Sequence, residues 1–216
     1  MALTLAESGI ENLAVRHTML DLMTYADDRY KRELFDALRQ SLGRIAQEGG
    51  SGLPLCVVAH GFGSILAVDF FKELQRLGAD ELAEVERPAT PLERGETLAF
   101  FCTLGSPSPL MIAQDSTPPL NVPSPLVLQR WPHLRGGWTN AYHRGDCLAH
   151  PLLSSQPTIS HEFECRRRHK GDFPIQSSYF VDLVDCVGPI AQSISWVWQD
   201  ANRTTTLKRG SSGEAT

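Results

Sequence analysis

Long apolar runs and an excess of basic residues are both absent from this sequence. No apolar stretch is long enough to span a bilayer, and the N-terminus lacks the basic segment and apolar core of a secretory signal. The 20 Lys and Arg residues are outnumbered by 25 Asp and Glu, which gives a formal net charge of -5. An acidic surface disfavours a polyanionic partner. We therefore predict a cytoplasmic protein with no membrane span and no nucleic-acid partner.

A disulfide framework is absent as well. The five cysteines are an odd number, and they show no framework spacing. Reduced thiols are therefore expected. Cys56 and Cys102 lie in strand-like apolar runs, where we expect them to act as small core residues.

What the sequence does contain is the composition of an ordinary globular domain. It has 216 residues, of which 42% are hydrophobic and 21% are charged. This is enough for one domain with a sizeable core, and no internal repeat is visible. We assign residues 1–202 to a single α/β domain and the polar segment 203–216 to a disordered tail.

Helical and strand-like segments alternate along this domain. A capping-box pattern at Ser8–Glu11 predicts a helix over about 9–25, and Gly49 and Gly50 end a second predicted helix. The run at 96–104 is apolar almost throughout, which is typical of a parallel strand covered on both faces. The sequence thus predicts a three-layer α/β fold with a mainly parallel sheet. The expected strands are 53–59, 96–104, 138–142 and 158–164, and the expected later helices are 28–47, 63–77 and 177–202.

Two proline-containing segments interrupt the alternation. Prolines are dense from 106 to 132, where no periodicity is visible, so we predict a long loop over the sheet. Gly188 and Pro189 are expected to kink or divide the last helix, because an internal proline cannot donate the helical hydrogen bond.

The stretch from Leu53 to Phe71 is the most informative part of the chain. Its apolar residues, with β-branched Val57 and Val58, stop at His60, and apolar residues at helical spacing follow the glycines at 61 and 63. A strand, a tight turn and a helix in this order form a nucleophile elbow, which raises the residue at its apex above a parallel sheet. The apex residue here is Gly61.

The segment Val57–Ser64, VVAHGFGS, resembles the elbow of lipase-like and esterase-like α/β hydrolases, which reads roughly VVAHSxGS. Later segments resemble the same superfamily. Thr103–Pro107 fits its TxGSP segment, and Trp138–Leu152 contains a WxN motif followed by a DxxAxPL stretch. The resemblance covers roughly residues 10–200. It implies a partial α/β-hydrolase fold, built on the second half of that fold, and hydrolysis of an ester or amide without a cofactor.

The resemblance also implies which residues would form a catalytic triad. Gly61 stands at the nucleophile position and has no hydroxyl, whereas Asp146 matches the acid. Relatives resemble HxxY[WF] before the last helix, where this chain has Gln176–Phe180. Gln176 therefore stands at the histidine position, and an amide cannot act as a general base at neutral pH. The amide of Phe62 would be one oxyanion donor, and the strand and loop that supply the second donor have no candidate here.

Ser64 and His169 are the residues that could substitute for the lost groups. Ser64 lies one turn into the helix, and we expect its hydroxyl to bond locally and to point away from Gly61. His169 stands seven residues before Gln176 on a basic loop, from which it could swing in as a base. Attack by a water molecule assisted by Asp146 and His169 stays open as an alternative.

No strand is predicted ahead of the helix at 9–25, whereas the elbow strand of the superfamily normally has neighbours on both sides. We therefore expect the chain to correspond to the C-terminal part of a longer hydrolase-like ancestor. The strand at 53–59 would then form a long apolar sheet edge. Such an edge favours self-association.

A dinucleotide-binding turn is a second interpretation of the same glycines. Gly61 and Gly63 follow a strand and open a helix, but that fingerprint needs glycine or alanine where this chain has Leu66. That fingerprint also expects an acidic residue at the end of the next strand, about 20 residues after the glycines, whereas the next strand here is not predicted until about residue 96. We therefore predict no nucleotide cofactor.

Two groups of residues have the chemistry of metal ligands. His161, Cys165 and His169 have the spacing of one helical face, but the surrounding residues alternate as in a strand, which would scatter the three side chains. His143, Asp146 and His150 could meet in a turn, although the triad position explains Asp146 better. We predict no metal site.

Three hypotheses for the function follow. The first is a hydrolase homologue with impaired catalysis, which would bind a small acyl ligand or another partner. The second is an active carboxylic-ester hydrolase with an atypical site. The third is a non-enzymatic module that binds a small molecule or anion at the turn of residues 61–64, where the N-terminus of a helix favours negative charge.

Overall fold

The computed structural model describes residues 16–81, 89–107, 118–146, 148–154, 156–166 and 179–210. Within them, four strands form one parallel sheet in the order β1-β2-β3-β4. The strands are β1 (Leu55–His60), β2 (Leu98–Leu104), β3 (Gly137–Tyr142) and β4 (Ile159–Glu164). The predicted parallel sheet is confirmed, and each strand lies where the apolar pattern placed it.

Helices connect and cover these strands. They are α1 (residues 16–25), α2 (Asp28–Gly49), α3 (Phe62–Glu81), α4 (Pro125–Arg130) and α5 (Gly188–Gly210), and a π-helical turn, Leu183–Val187, precedes α5. The start of α2 has a clear local cause, because the carboxylate of Asp27 accepts a hydrogen bond of 2.8 Å from the amide of Arg29. Gly50 follows its last turn, as the sequence predicted.

The end of α3 and the segment 106–132 differ from the sequence prediction. α3 continues through Gly78 to Glu81, since one glycine inside a helix costs only about 1 kcal/mol and does not end it. The expected loop at 106–132 contains α4. Ser124 stands before this helix with an extended backbone and Pro125 occupies its first turn, a start signal that the surrounding prolines obscured. Residues 108–117 of that segment lie outside the described residues.

The last helix is divided at Gly188, as predicted. Asp182 precedes the π-helical turn, and its side chain accepts hydrogen bonds from the amides of Val184 and Asp185. α5 then begins at Gly188 and continues to Gly210, beyond the end expected near Asn202. Residues 211–216 lie outside the described residues.

Helices cover both faces of the sheet, so the three-layer α/β architecture is confirmed. α2 and α3 pack on one face, where rings form an edge-to-face series. That series is Phe35, Phe70, Phe71, Phe101 and Trp138, with centroid separations of 5.3, 5.4, 6.2 and 5.4 Å. On the other face, α4, the π-helical turn and α5 cover Phe100, Cys102 and Leu104 of β2. The burial of Cys102 agrees with its predicted role as a small core residue.

The central strands are more deeply buried than β1. Every side chain of β2 is buried, whereas Ala59 alone is fully buried in β1 and Val58 is 44% exposed. β1 is also an end strand of the sheet, since within the described ranges it pairs with β2 alone. None of the described helices is both long and apolar enough to cross a membrane.

Candidate functional site

The carboxyl ends of the four strands bring the predicted site residues to one edge of the sheet. Gly61 follows β1, Gly105 and Ser106 follow β2, and Asp146 lies in the turn after β3. In open parallel sheets this edge is where ligands bind and where catalytic groups are placed. We call this group the carboxyl-edge site.

The turn at Gly61 has the strand-turn-helix geometry that the sequence predicted. Gly61 has a φ of +54°, in the left-handed region that favours glycine. Its amide donates a 2.9 Å hydrogen bond to the carbonyl of Leu104, which ties the turn to the end of β2. α3 then begins at Phe62. Phe62 is therefore the first residue of a helix, and its N–H has no acceptor within that helix.

Ser64 bonds locally, as the sequence predicted, but its hydroxyl does not point away from Gly61, because it bonds to the Gly61 carbonyl one turn back in the helix. Its side chain is buried, and Oγ lies 2.6 Å from the carbonyl oxygen of Gly61 and 2.6 Å from Oγ of Ser106. A hydroxyl has a single proton to donate, so donation to Gly61 leaves Ser106 to donate to Ser64. This arrangement braces the first turn of α3 against the end of β2. It directs the Ser64 hydroxyl into structural hydrogen bonds.

Asp146 is buried, and both of its carboxylate oxygens accept hydrogen bonds. Oδ1 accepts from the amide of Leu148 at 3.0 Å, which forms a local turn. Oδ2 accepts from the hydroxyl of Tyr179 at 3.0 Å. In a serine-hydrolase triad, the acid receives the imidazole N–H of the catalytic histidine. Here a tyrosine hydroxyl bonds to this carboxylate.

Tyr179 joins the three turns of the carboxyl-edge site. It is 1% exposed, and its oxygen accepts a 3.0 Å hydrogen bond from the amide of His143 while donating to Asp146. Burial, reinforced by the charge of Asp146, raises the pKa of Tyr179 well above its ordinary value. The ring therefore carries a neutral hydroxyl at physiological pH and serves as a donor.

Gly105 is held in place by the same two side chains. Its φ is +56°, and a Cβ built on it would lie 2.8 Å from the Tyr179 ring and 3.2 Å from Oδ2 of Asp146. Both the backbone conformation and the close approach exclude a larger residue. The glycine of the TxGSP segment is thus explained by packing against the Tyr179–Asp146 pair.

His60, which precedes the apex, is in contact with two aromatic rings. Its ring centroid lies 5.7 Å from that of Tyr179 and 5.0 Å from that of Phe180. The Phe62 ring on the other side of the apex packs edge-to-face on Tyr25 of α1, with a centroid separation of 5.3 Å. The apex residue is therefore flanked by aromatic contacts on both sides.

Neither Cys165 nor Cys56 has the features of a nucleophile that could stand in for a serine at position 61, and Cys147 lies outside the described residues. Cys165 lies at the same edge, directly after β4, but it is 2% exposed. A hydrogen bond with Cys186 and burial both raise the pKa of Cys165, and burial raises the pKa of Cys56 to about 11. Thiols with raised pKa values carry little thiolate near neutral pH and are poor nucleophiles.

Two predicted site residues and one candidate metal group have yet to be placed. Gln176 and His169 lie outside the described residues, so the histidine position and the substitute base stay predictions. His161 is exposed on β4 whereas Cys165 is buried, so these two side chains are scattered as the strand pattern predicted. Across the described ranges, no three His, Cys, Asp or Glu side chains form a group that could hold a metal ion.

The WxN motif and the threonine of the TxGSP segment form a hydrogen-bond network that sequence analysis missed. Thr103 Oγ1 donates to Oδ1 of Asn140 at 2.8 Å and accepts from Nε1 of Trp138 at 3.2 Å. Asn140 in turn donates to Glu162 at 2.8 Å. The network crosses β2, β3 and β4. These motif residues therefore fix the register of three strands beneath the site.

Comparison with known proteins identified no relative of this chain. No family model matches the chain, and no curated protein and no solved structure is significantly similar to it.

Proposed function

We propose that this protein is a non-catalytic counterpart of a serine esterase, with the scaffold of an α/β-hydrolase site and without its reactive groups. The observation that carries the proposal is the pairing of Asp146 with Tyr179 beneath an elbow whose apex is Gly61. The elbow geometry supports descent from a site of this kind. The residues at its nucleophile and histidine positions, Gly61 and Gln176, support loss of the reaction.

The nucleophile is the first missing group. Glycine at position 61 supplies no oxygen for attack on an acyl carbon. The nearest hydroxyl in the chain sequence, that of Ser64, is buried and bonded to Gly61 and Ser106. Neither group meets the first requirement of covalent catalysis, which is a nucleophile within reach of a base.

The general base is the second missing group. Tyr179 occupies Oδ2 of Asp146, the kind of acceptor to which a catalytic histidine would donate. A phenol with a raised pKa does not accept a proton at neutral pH, so it cannot replace an imidazole. The proposal therefore rests on the glycine at position 61 and on the assignment of Gln176 to the histidine position, with the bond between Tyr179 and Asp146 in support.

The decisive measurement is hydrolysis of p-nitrophenyl butyrate, together with labelling by a fluorophosphonate, which reacts with activated serines. We expect wild-type protein to show neither. We compare it with a Gly61→Ser, Gln176→His double variant and with a triple variant that adds Tyr179→Phe, which removes the Tyr179 hydrogen bond from Oδ2 of Asp146. Labelling is expected to appear in the double variant and to increase in the triple variant that carries Tyr179→Phe.

Two outcomes would contradict the proposal. If wild-type protein hydrolyses the ester and Asp146→Asn abolishes the activity, the chain is an enzyme with a nucleophile other than residue 61. If both restored variants keep wild-type circular dichroism and still resist labelling, the elbow does not belong to a hydrolase-type site. The matched Gly61→Ala variant reports the structural cost of a side chain at a φ of +54° without adding a hydroxyl.

A further inference from the structure

Among the described strands, β1 pairs with β2 alone, so the backbone on its other side faces the end of the sheet. The amides of Leu55 and Gly61 donate to Thr97 and Leu104, on the side of β2. Because alternate residues of a strand direct their N–H and C=O groups to the same side, Val57 also faces β2. Cys56 and Val58 therefore direct theirs away from β2, at the edge that no other described strand pairs with.

The sequence of β1 lacks the charged residues and the proline by which natural sheets protect an edge strand from pairing. Between Glu48 and Asp69 the sequence has no Asp, Glu, Lys or Arg, and β1 itself contains no proline. Exposed edges are usually blocked by charged residues, proline or bulges. The irregularity in the pairing of β1 with β2 places the extra residue, Ala99, in β2 and leaves β1 a regular strand.

We propose that β1 pairs with β1 of a second copy of this chain, antiparallel and about a two-fold axis at Val57. In this register Cys56 of each copy lies opposite Val58 of the other. Their outward N–H and C=O groups then form four hydrogen bonds, because residues directly opposite in such a pair exchange two bonds each. The result is a continuous eight-stranded sheet and a closed dimer.

The side chains of β1 are suited to pairing with β1 of a second copy. Val57 meets its own copy at the close, non-hydrogen-bonded position, a favourable place for a β-branched pair. Val58, which is 44% exposed in the single chain, packs beside Cys56 of the second copy. No charge faces a like charge across the axis, since residues 49–68 carry none.

A two-fold axis perpendicular to the sheet also places the same face of both sheets on the same side. On the sheet face that α4 and α5 cover, Phe180 contacts His60 and is 55% exposed. The adjoining Leu183 and Val184 are 70% and 62% exposed. Of these side chains, Phe180 lies beside the end of β1 through its contact with His60.

Sedimentation velocity over a concentration series tests the proposal with the full-length chain. We expect wild-type protein to sediment as a dimer. Val58→Lys and Val58→Glu each place like charges near the axis, and their dissociation constants are expected to rise at least about tenfold. The two variants mixed in equal amounts should associate more tightly than either alone. Val58→Thr, which keeps the β-branched shape, is the matched control and should remain dimeric.

Cross-linking tests the register. In a Cys56→Ser background, Val57→Cys should form a disulfide-linked dimer on mild oxidation, because its copies lie directly opposite each other. Val58→Cys, whose copies are diagonal neighbours, should link less. A wild-type monomer at all concentrations would overturn the proposal and indicate that another segment of the same chain covers β1. A dimer that withstands both charge variants would overturn it as well, because its contact would lie elsewhere.

Discussion

The hydroxyl of Tyr179 donates a 3.0 Å hydrogen bond to Oδ2 of Asp146, and both side chains are buried at the carboxyl edge of the sheet. The pair connects the turn after β3 with the segment that leads into α5. It also sets the space left for Gly105. A buried carboxylate at the carboxyl edge thus takes part in holding the fold together, which is a role that stability measurements can detect.

Tyr179→Phe should lower the free energy of unfolding by about 1–3 kcal/mol, because it removes a donor from a buried carboxylate and an acceptor from the amide of His143. Urea denaturation followed by fluorescence measures the change. Tyr30→Phe, on the exposed side of α2, is the matched control and should alter stability by less than about 0.5 kcal/mol. Equal effects of the two substitutions would show that the pair with Asp146 carries no structural role.

Gly105→Ala and Gly63→Ala make a second matched comparison. At Gly105 the new methyl group would meet the Tyr179 ring at 2.8 Å, with a φ of +56° that costs about 1–2 kcal/mol for an alanine. At Gly63 nothing lies within 4 Å and the residue is helical. Gly63→Ala should therefore be neutral or stabilise the protein by about 0.5–1 kcal/mol.

We expect Gly105→Ala to have the lower melting temperature of the two glycine variants. The near-ultraviolet circular dichroism of Gly105→Ala should also change, because the Tyr179 ring must move. Similar melting temperatures for both variants would mean that the turn after β2 adapts without disturbing the Tyr179–Asp146 pair.

The fold was accessible from the sequence because its central strands, β2 and β3, are buried on both faces. Apolar runs such as residues 96–104 identify such strands without reference to the rest of the chain. The elbow was equally visible, since the glycines at 61 and 63 interrupt an apolar strand and an apolar helix. Helix α4 was missed because Ser124 and Pro125, which start it, stand among prolines that usually indicate a loop.

The site was only partly accessible. Asp146 could be placed at the carboxyl edge from its motif, but the partner of its carboxylate could not be identified. Tyr179 lies 33 residues away in the chain, and a hydrogen bond over that separation leaves no local pattern. The network of Thr103, Asn140 and Glu162 escaped notice for the same reason, since each residue comes from a different strand.

Acid sensitivity should depend on Asp200 of α5. Its carboxylate accepts hydrogen bonds from the backbone amide and the guanidinium of Arg135, and these bonds hold the pKa of Asp200 below its ordinary value. A lowered folded-state pKa means that the stabilisation is present above the unfolded value, roughly pH 4, and is lost as the pH falls through the folded value.

Asp200→Asn should therefore be less stable than wild type at pH 7, with a difference that shrinks toward pH 2. Chemical denaturation at pH 7, 4 and 2.5 measures it. Asp36→Asn is the control, because Asp36 pairs with Arg39 on the exposed surface of α2, where such ion pairs contribute little. A pH-independent difference between Asp200→Asn and wild type would show that the Asp200 charge does not contribute.

Glu162 should be a stronger determinant of stability than its position on the end strand suggests. One of its carboxylate oxygens accepts hydrogen bonds from the side chain of Asn140 and from the amides of Leu152 and Leu153. Glu162→Ala removes the acceptor from all three donors and should destabilise the protein by about 1–3 kcal/mol. Glu162→Gln keeps an acceptor oxygen in place and should retain most of the stability.

Amide hydrogen exchange distinguishes this local role from a general loss of stability. In Glu162→Ala, we expect the amides of Leu152 and Leu153 to exchange faster, while those in the middle of β2 change only as much as the global free energy requires. Glu162→Gln should leave the exchange of Leu152 and Leu153 close to that of wild type. If both variants exchange alike, the negative charge rather than the acceptor geometry holds this loop, because glutamine preserves only the geometry.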